Sequence, residues 1–589
     1  MAHSNISFIR FFTVILGLQA CSAAVAPTGC SKLHTDDDWP SVEEWQAKLP
    51  GIIKQTLSDA NRLIPDYRIR AKSYSEVQDA VRFAASNNIR LTVITTGHDE
   101  LGRSDAGSGL IIDLSLLRGA RVSKSFTATK EGVPSPASDE ELKTIQPESG
   151  SQAAVTFNPA VGSLALNYDL DASGLFIVGG TAQGVAIGGG WGQNGGYGPL
   201  TAQYGIGVDQ WLEAKVITPD GELRVANEVS NPDLFWAIRG GGGGTFGVVV
   251  EATWKVYPTV PILGFHWYIN STLVVNETDA ENGKTPTSEA LAYLFSELPE
   301  LQKKGISAYF YVLNDNIRCH AIHPGSLAHA EAANKVWGPI LEKMQSFEGM
   351  TPFQSKHFHF NSYKEFFRET YGALEPFNPT DPPRNHGIVP FDSRLLGEAH
   401  LKSPNLTYAL RKTGGNFGIL MTTPGMAVGD GSDTAVNPGW RNATVFLNGF
   451  KSNTTNVDGL RELAPNMGTY ICEASADEPN WSASFWGSNY PRLSALKSEL
   501  DPNMVFWTTP GINADHVKAV DGRACLVDAK PETPSKYPPQ NERRVVADIE
   551  NDREFLFSEQ EINGNQFPAP GNFVGLQAAR AVAPLPPRR

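Results

Sequence analysis

The chain is short of several features that would have narrowed its role early. Its 589 residues carry only five cysteines, Cys21, Cys30, Cys319, Cys472 and Cys525. Their wide spacings exclude a disulfide-built scaffold and a zinc-binding pattern. At most a bridge tying the two ends together is expected, Cys30 with Cys525. Basic residues are too few, and too scattered ahead of the tail, for electrostatic binding to nucleic acid or an anionic membrane. The formal net charge is −14 and the pI is about 5.4. No internal repeat is present, and no segment is apolar for long enough to span a bilayer. His357 and His359 would share one strand face, but no third ligand stands at a sensible spacing, so no metal site is expected.

What remains is an ordinary globular composition, with 41% hydrophobic and 19% charged residues, in a chain long enough for two or three domains. Its N-terminus reads as an export signal over residues 1–24. Arg10 precedes the apolar run 11–18, and the small residues Ser22, Ala23 and Ala24 follow as a cleavage site. N-x-S/T triplets at Asn270, Asn276, Asn405, Asn442, Asn453 and Asn480 are then candidate glycosylation sites, and a secreted product is expected. Residues 40–62 open with a helical lead-in capped by Ser41, and residues 75–85 form a helix with Val77, Val81 and Ala84 on one face. Residues 120–152 are polar and proline-punctuated and read as a surface loop insertion. Residues 259–460 alternate strand-like and helical segments, residues 461–516 are aromatic-rich, and residues 526–589 are proline-rich and loosely ordered in expectation.

Glycine marks the chemistry. The strand-like run Leu91-Thr92-Val93-Ile94 breaks into Thr95-Thr96-Gly97-His98-Asp99, with Gly102-Arg103-Ser104 close behind and a second strand at Leu110-Ile111-Ile112-Asp113. Such a small, polar turn can direct backbone N–H groups at an anion, and one imidazole stands at its apex. The segment 177–200 contains Gly179, Gly180, Gly184, Gly189, Gly190 and Gly195. Gly190, Gly192 and Gly195 satisfy G-x-G-x-x-G, but Gly196, Gly198 and Pro199 follow, so no helix opens there and no dinucleotide fingerprint is formed. The Gly102-Arg103-Ser104-Asp105-Ala106 stretch likewise fails as a nucleophile elbow. A third glycine run, 240–244, follows the short helix 233–238 and precedes Gly247 and Val248. All three offer bare backbone for wrapping a long ligand.

In combination these segments resemble the secreted fungal FAD-linked oxidoreductases of the vanillyl-alcohol oxidase type. The residues carrying the likeness are Thr96-Gly97-His98-Asp99 with Gly102-Arg103-Ser104, Gly198-Pro199-Leu200, and Asp233-Leu234-Phe235-Trp236-Ala237-Ile238-Arg239 with its glycine run. A berberine-bridge-like C-terminal signature adds Gly468-Thr469-Tyr470, Glu473-Ala474, Phe485-Trp486-Gly487-Ser488-Asn489-Tyr490 and Asp501-Pro502. The resemblance covers residues 60–515. It implies an α+β fold: a PCMH-type FAD-binding domain of two α/β subdomains over 60–258, and a substrate domain with a large mixed or antiparallel sheet covered by helices over 259–460. Residues 461–516 would complete the FAD site.

It further implies FAD linked covalently to His98, with Thr95, Thr96, Gly97, Asp99, Gly102, Ser104, Gly179, Gly180, Thr181, Gly184, Gly189, Gly190, Gly195, Gly247, Val248 and Asn489 as cofactor contacts. Three departures from the family pattern stand out. Ile94 replaces a basic residue, Ala182 stands where many relatives carry a second flavin-linking cysteine, and Cys472 replaces an asparagine. The expected reaction is oxidation of a small molecule, a secondary-metabolite intermediate, by hydride transfer to flavin with O2 as acceptor. Tyr197, Glu473 and Tyr470 are the candidate bases, and a monomer is expected. The alternatives are a simple alcohol or sugar oxidase, or a binding or pericyclase-type scaffold with little redox activity.

Overall fold

Three sheets organise the protein. The computed structural model describes residues 29–527 except 56–63, 138, 139, 141, 183, 277, 280–283, 314, 373–377, 381, 382, 384–389, 412, 414–416, 422–430, 453 and 454. The export signal, nearly all of the tail and Asn453 therefore lie outside the described residues.

The first sheet is small and mostly parallel, in the order Ile53–Lys54, Tyr67–Arg70, Leu110–Asp113, Leu91–Ile94. Helix Tyr74–Asn87 lies against it. Ser73 caps the helix by accepting from the Glu76 N–H, and Asn88 ends it in the left-handed conformation. Val77, Ala80, Val81 and Ala84 are buried on its inner face, the stripe expected from the 3.6-residue period.

The second sheet is antiparallel, in the order Ala120–Ser123, Ala154–Phe157, Val248–Lys255, Trp211–Ile217, Leu223–Ala226. This corrects the reading of residues 120–152 as loop throughout, since Ala120–Ser123 is an edge strand. The polar stretch after it is pinned down rather than loose. Glu213 accepts from the Val133 N–H at 2.8 Å, and Lys215 donates to the Val133 carbonyl at 2.8 Å. Polar composition concealed this because the partners, Glu213 and Lys215, are themselves polar residues on a strand about eighty positions later.

The third sheet has seven antiparallel strands, in the order Gln354–Phe360, Ile262–Asn270, Asn316–Pro324, Ser307–Leu313, Phe417–Met421, Ala443–Phe450, Phe391–Gly397. Trp267 and Phe310 pack from one face against Trp337 of helix Ala330–Gln345. On the opposite face His320 meets Phe366 and Tyr371 of helix Tyr363–Tyr371.

The C-terminal segment returns to the cofactor half. Helix Tyr490–Leu500 sets Arg492 over Trp236. The fully buried Lys497 ammonium donates to Asp501 Oδ2, to the Thr245 carbonyl and to the Phe506 carbonyl, each at 2.6 Å. One cation thus ties the third glycine run to the chain that follows the helix. Cys30 and Cys525 form a disulfide that joins the two ends across 495 residues. Among the described residues no helix is long and apolar enough to cross a membrane.

Removing one partner of a buried ion pair strands the other charge. Lys497→Met is therefore expected to cost ~3–5 kcal/mol and to lower the melting temperature by several degrees in scanning fluorimetry. An unchanged melting curve would remove Lys497 from the supports of the fold.

Candidate cofactor and active site

The Thr95-Thr96-Gly97-His98-Asp99 turn follows the carboxyl end of the parallel strand Leu91–Ile94, where open α/β sheets present ligand sites. Gly97 takes φ +80° to make the turn. The turn is tied to the second glycine segment: the Ala186 N–H donates to Thr96 Oγ1 at 3.3 Å, and a Cβ on Gly189 would stand 2.6 Å from Thr95 Oγ1. Ile94, in the place of a basic residue, is buried in the sheet.

A large cleft opens here between the small parallel sheet, the glycine segments and residues 470–473. It encloses about 1220 Å³ of space free of protein atoms, open solvent at its mouth included, ample for a cofactor-sized ligand. Of the residues expected at the site, Thr95, Thr96, Gly97, His98, Asp99, Ser104, Gly180, Thr181, Gly189, Gly190, Tyr197, Gly247, Val248, Tyr470 and Glu473 all line it. Gly184 stands behind His98, where an added Cβ would lie 3.0 Å from its Nε2. Gly102, Gly179 and Gly195 support the walls rather than form them. The Gly102 carbonyl accepts from the Asp105 N–H, Gly179 packs on Ser163, and Gly195 packs on Trp440. Asn489 is the correction. Its amide donates to the Val436 carbonyl at 2.8 Å and it does not line the cleft, so its role is to fasten the C-terminal segment to residues 434–436.

The cleft fits an extended, partly anionic cofactor. Gly243 and Gly244 present backbone to it, and a Cβ on Gly244 would meet only Val93, at 3.9 Å. Thr92 Oγ1 and Asn194 Oδ1 are buried in its walls with no hydrogen-bond partner in the protein, an arrangement that costs free energy unless a ligand completes it. Phe506, absent from the sequence-based expectation, lines the cleft because it forms a parallel bridge to Leu91.

Arg103 was also missed as a wall residue. Its Nε and Nη2 both donate to Asp99 Oδ1, at 2.9 and 2.6 Å. Burial opposes its charge, but Asp99 outweighs burial and holds the guanidinium protonated. Its i, i+4 spacing from Asp99 was the available signal. Cys472 lies 3.8 Å from Arg103 Nη2. Burial pushes its thiol up to about 11 although Arg103 pulls the other way, so the thiol stays protonated and weakly nucleophilic near neutrality.

At the same end the three candidate bases come together. The Tyr197 hydroxyl donates to Glu473 Oε1 at 2.5 Å, and Asn448 Nδ2 donates to Oε2 at 2.6 Å. The Tyr197 and Tyr470 rings meet edge to face with centroids 5.7 Å apart. Burial, then the Glu473 charge, raises the Tyr197 phenol well above its ordinary value. For Tyr470 burial and then Cys472 do the same. Both are neutral hydroxyls at physiological pH. Elsewhere, His357 contacts Asn334 and stacks on Phe265, and no cluster able to hold a metal occurs among the described residues.

Comparison with known proteins adds to this picture. A family model described as FAD binding domain matches residues 65–227, and one described as berberine and berberine like matches residues 469–513. The chain is 30% identical over 491 residues to an uncharacterized FAD-linked oxidoreductase of Arthroderma benhamiae, covering 77% of this chain and 78% of that protein. It is 28% identical over 490 residues to the VAO-type flavoprotein oxidase VAO615 of Thermothelomyces thermophilus, covering 78% of each. The crystal structure of the VAO-type flavoprotein MtVAO713 from Myceliophthora thermophila C1 shares the fold. Its TM-score is 0.72 at 23% identity, over 85% of this chain and 100% of that one.

The closest backbone approach gives a sharp test of the cleft. A Cβ on Gly198 would lie 1.9 Å from the Gly179 carbonyl oxygen, so Gly198→Ala must push the two segments apart. Gly198→Ala is expected to purify with strongly reduced FAD, read from its flavin absorbance. Gly338→Ala, where a Cβ meets nothing within 4 Å, should keep full FAD and stability, since alanine favours a helix interior. Equal FAD content in both would overturn the wall assignment.

Proposed function

Since the chain belongs to the family of FAD-linked oxidoreductases, we propose that it is a secreted oxidase that dehydrogenates a small organic molecule, a secondary-metabolite intermediate, and passes the electrons to O2 as H2O2. Bound FAD would supply the redox chemistry, as hydride acceptor and as electron donor to oxygen. The protein supplies attachment, orientation and a base. The observation that carries this reading is the buried Tyr197–Glu473 pair set in the wall of the same cleft as His98.

In this reading His98 would be the covalent anchor of the flavin, and the turn at 95–99 would hold the pyrophosphate. Ala182 is buried and carries no thiol, and the Cys472 thiol is protonated, so a single histidyl bond is expected. Peptide mapping by mass spectrometry should find FAD on the peptide containing His98 alone. An adduct on a cysteine peptide would contradict the single link. His98→Ala should keep at most dissociable FAD and lose much of its activity.

Proton removal falls to the pair. The tyrosine–carboxylate unit is placed to take a substrate O–H or N–H proton, and bound FAD would supply the hydride acceptor. Tyr197→Phe and Glu473→Gln are each expected to slow flavin reduction by ~10²-fold, the usual scale for a lost general base, with FAD content unchanged. Stopped-flow reduction rates at wild-type level in both variants would move the role to Tyr470.

Secretion is supported by the N-terminal signal pattern and by the disulfide, which persists in oxidising compartments. Asn276, Asn405, Asn442 and Asn480 are exposed, whereas Asn270 is half-buried with its amide oxygen enclosed. The mature chain should begin near Val25 and carry glycans at exposed sequons but not at Asn270. N-terminal sequencing and glycopeptide analysis test both points, and an intact Met1 terminus on a glycan-free product would refute secretion.

A further inference from the structure

One register position of the seven-stranded sheet grips Glu473 at both ends. Ser393 and Asn448 are directly paired across neighbouring strands. Ser393 Oγ donates to the Glu473 backbone carbonyl at 2.6 Å and also meets Thr469 Oγ1 at 2.6 Å. Asn448 Nδ2 donates to the Glu473 carboxyl at 2.6 Å. The substrate-domain sheet therefore fixes the base although Glu473 belongs to the C-terminal segment.

We propose that Asn448 is a positioning residue that keeps Glu473 ionised and aims the Tyr197 proton at it, so that the pair works as a directed proton relay. The proposal rests on the oxidase reading above. Its chemistry follows from the donors present. An amide N–H can only donate, so Glu473 Oε2 is committed as an acceptor, and Oε1 accepts from Tyr197 at 2.5 Å. Hydrogen bonds to the charged form favour the charged form. With its own hydrogen directed at Glu473, the Tyr197 oxygen keeps its lone pairs for a substrate proton. In the step, the substrate O–H or N–H bond breaks and its proton joins the Tyr197 oxygen. The Tyr197 proton passes to Glu473 Oε1, and bound FAD would be the hydride acceptor. Tyr197 ends neutral, Glu473 ends protonated, and charge is conserved.

Asn448 is well placed for this task. Titratable groups facing the pair include the neutral Tyr309 and Tyr470 hydroxyls and the protonated Cys472 thiol. Beyond Cys472 lies Arg103, whose charge is already engaged by Asp99. Asn448 places a side-chain N–H directly on the carboxyl, and at 6% exposure it is shielded from competing water.

The test needs no substrate. Infrared difference titration of the FAD-loaded protein, compared with Glu473→Gln, isolates the C=O band of protonated Glu473 and gives the pH at which it appears. Asn448→Leu should move that midpoint upward by about one unit or more, a tenfold gain in proton affinity, with FAD content and melting temperature near wild type. Asn448→Asp keeps the size of the side chain should the leucine variant fail to fold. It should move the midpoint further up, because two facing carboxyls share one proton. A midpoint unmoved in either folded variant overturns the proposal. Loss of the oxidase reading would show instead as normal midpoints shifts without any substrate-dependent flavin reduction in the wild type.

Discussion

Close approach of backbone to backbone is the constraint on which the cleft depends. The Gly198 segment passes so near the Gly179 carbonyl that any side chain would overlap it, and Gly240 meets the Val436 backbone in the same way, with a notional Cβ only 2.0 Å from its nitrogen. The first contact folds the 177–200 segment on itself and the second sets the third glycine run on residues 435–436, and both must form before a cofactor has walls to lie between. Glycine pays for this with unfolded-chain entropy, roughly 0.5–1 kcal/mol per residue relative to alanine. A chain so rich in glycine at its centre needs compensating anchors around it.

Those anchors are buried charges. Lys497 joins the third glycine run to Phe506, Arg441 pairs with Asp209, and Arg394 and Arg461 share Glu478 between the substrate sheet and the C-terminal segment. Buried ion pairs contribute little net stability compared with well-packed apolar groups, but breaking one by removing a partner is costly. They therefore act here more as fixed joints than as adhesive. Lys497 and the Arg394–Glu478 pair join the C-terminal segment to other parts of the framework, so that segment cannot peel away without exposing buried charges.

The local parts of the site were legible in sequence. The Thr96-Gly97-His98-Asp99 turn is written in consecutive residues, and the glycine runs announce themselves by composition. What was not legible is long-range. Nothing in the neighbourhood of Asn448 reveals that it faces Glu473, because the contact depends on how a segment 25 residues further on packs against an interior strand of the sheet. Phe506 reaches the cleft only through its bridge to Leu91. Asn489 was misplaced for the converse reason. A motif residue beside the cofactor segment serves the backbone of residues 434–436, a role that satisfies buried carbonyls rather than a ligand. The edge strand Ala120–Ser123 was hidden by the polar insertion behind it.

The electrostatic character of the cleft follows from the same economy. Its one permanent cation among the described lining residues, Arg103, is neutralised by Asp99, and its carboxylate, Glu473, is held by Tyr197 and Asn448. The two pairs lie at the same end of the cleft, bridged by Cys472 and Tyr470. A low-dielectric site strengthens each pair and penalises any charge left alone. Proton movement there is then confined to groups that can exchange it without creating an isolated charge, and a neutral tyrosine against a carboxylate meets that condition. A protonated thiol at Cys472 does not compete for the proton. With cysteine at that position, the tyrosine–carboxylate pair is the hydrogen-bonded acid–base couple in this part of the wall.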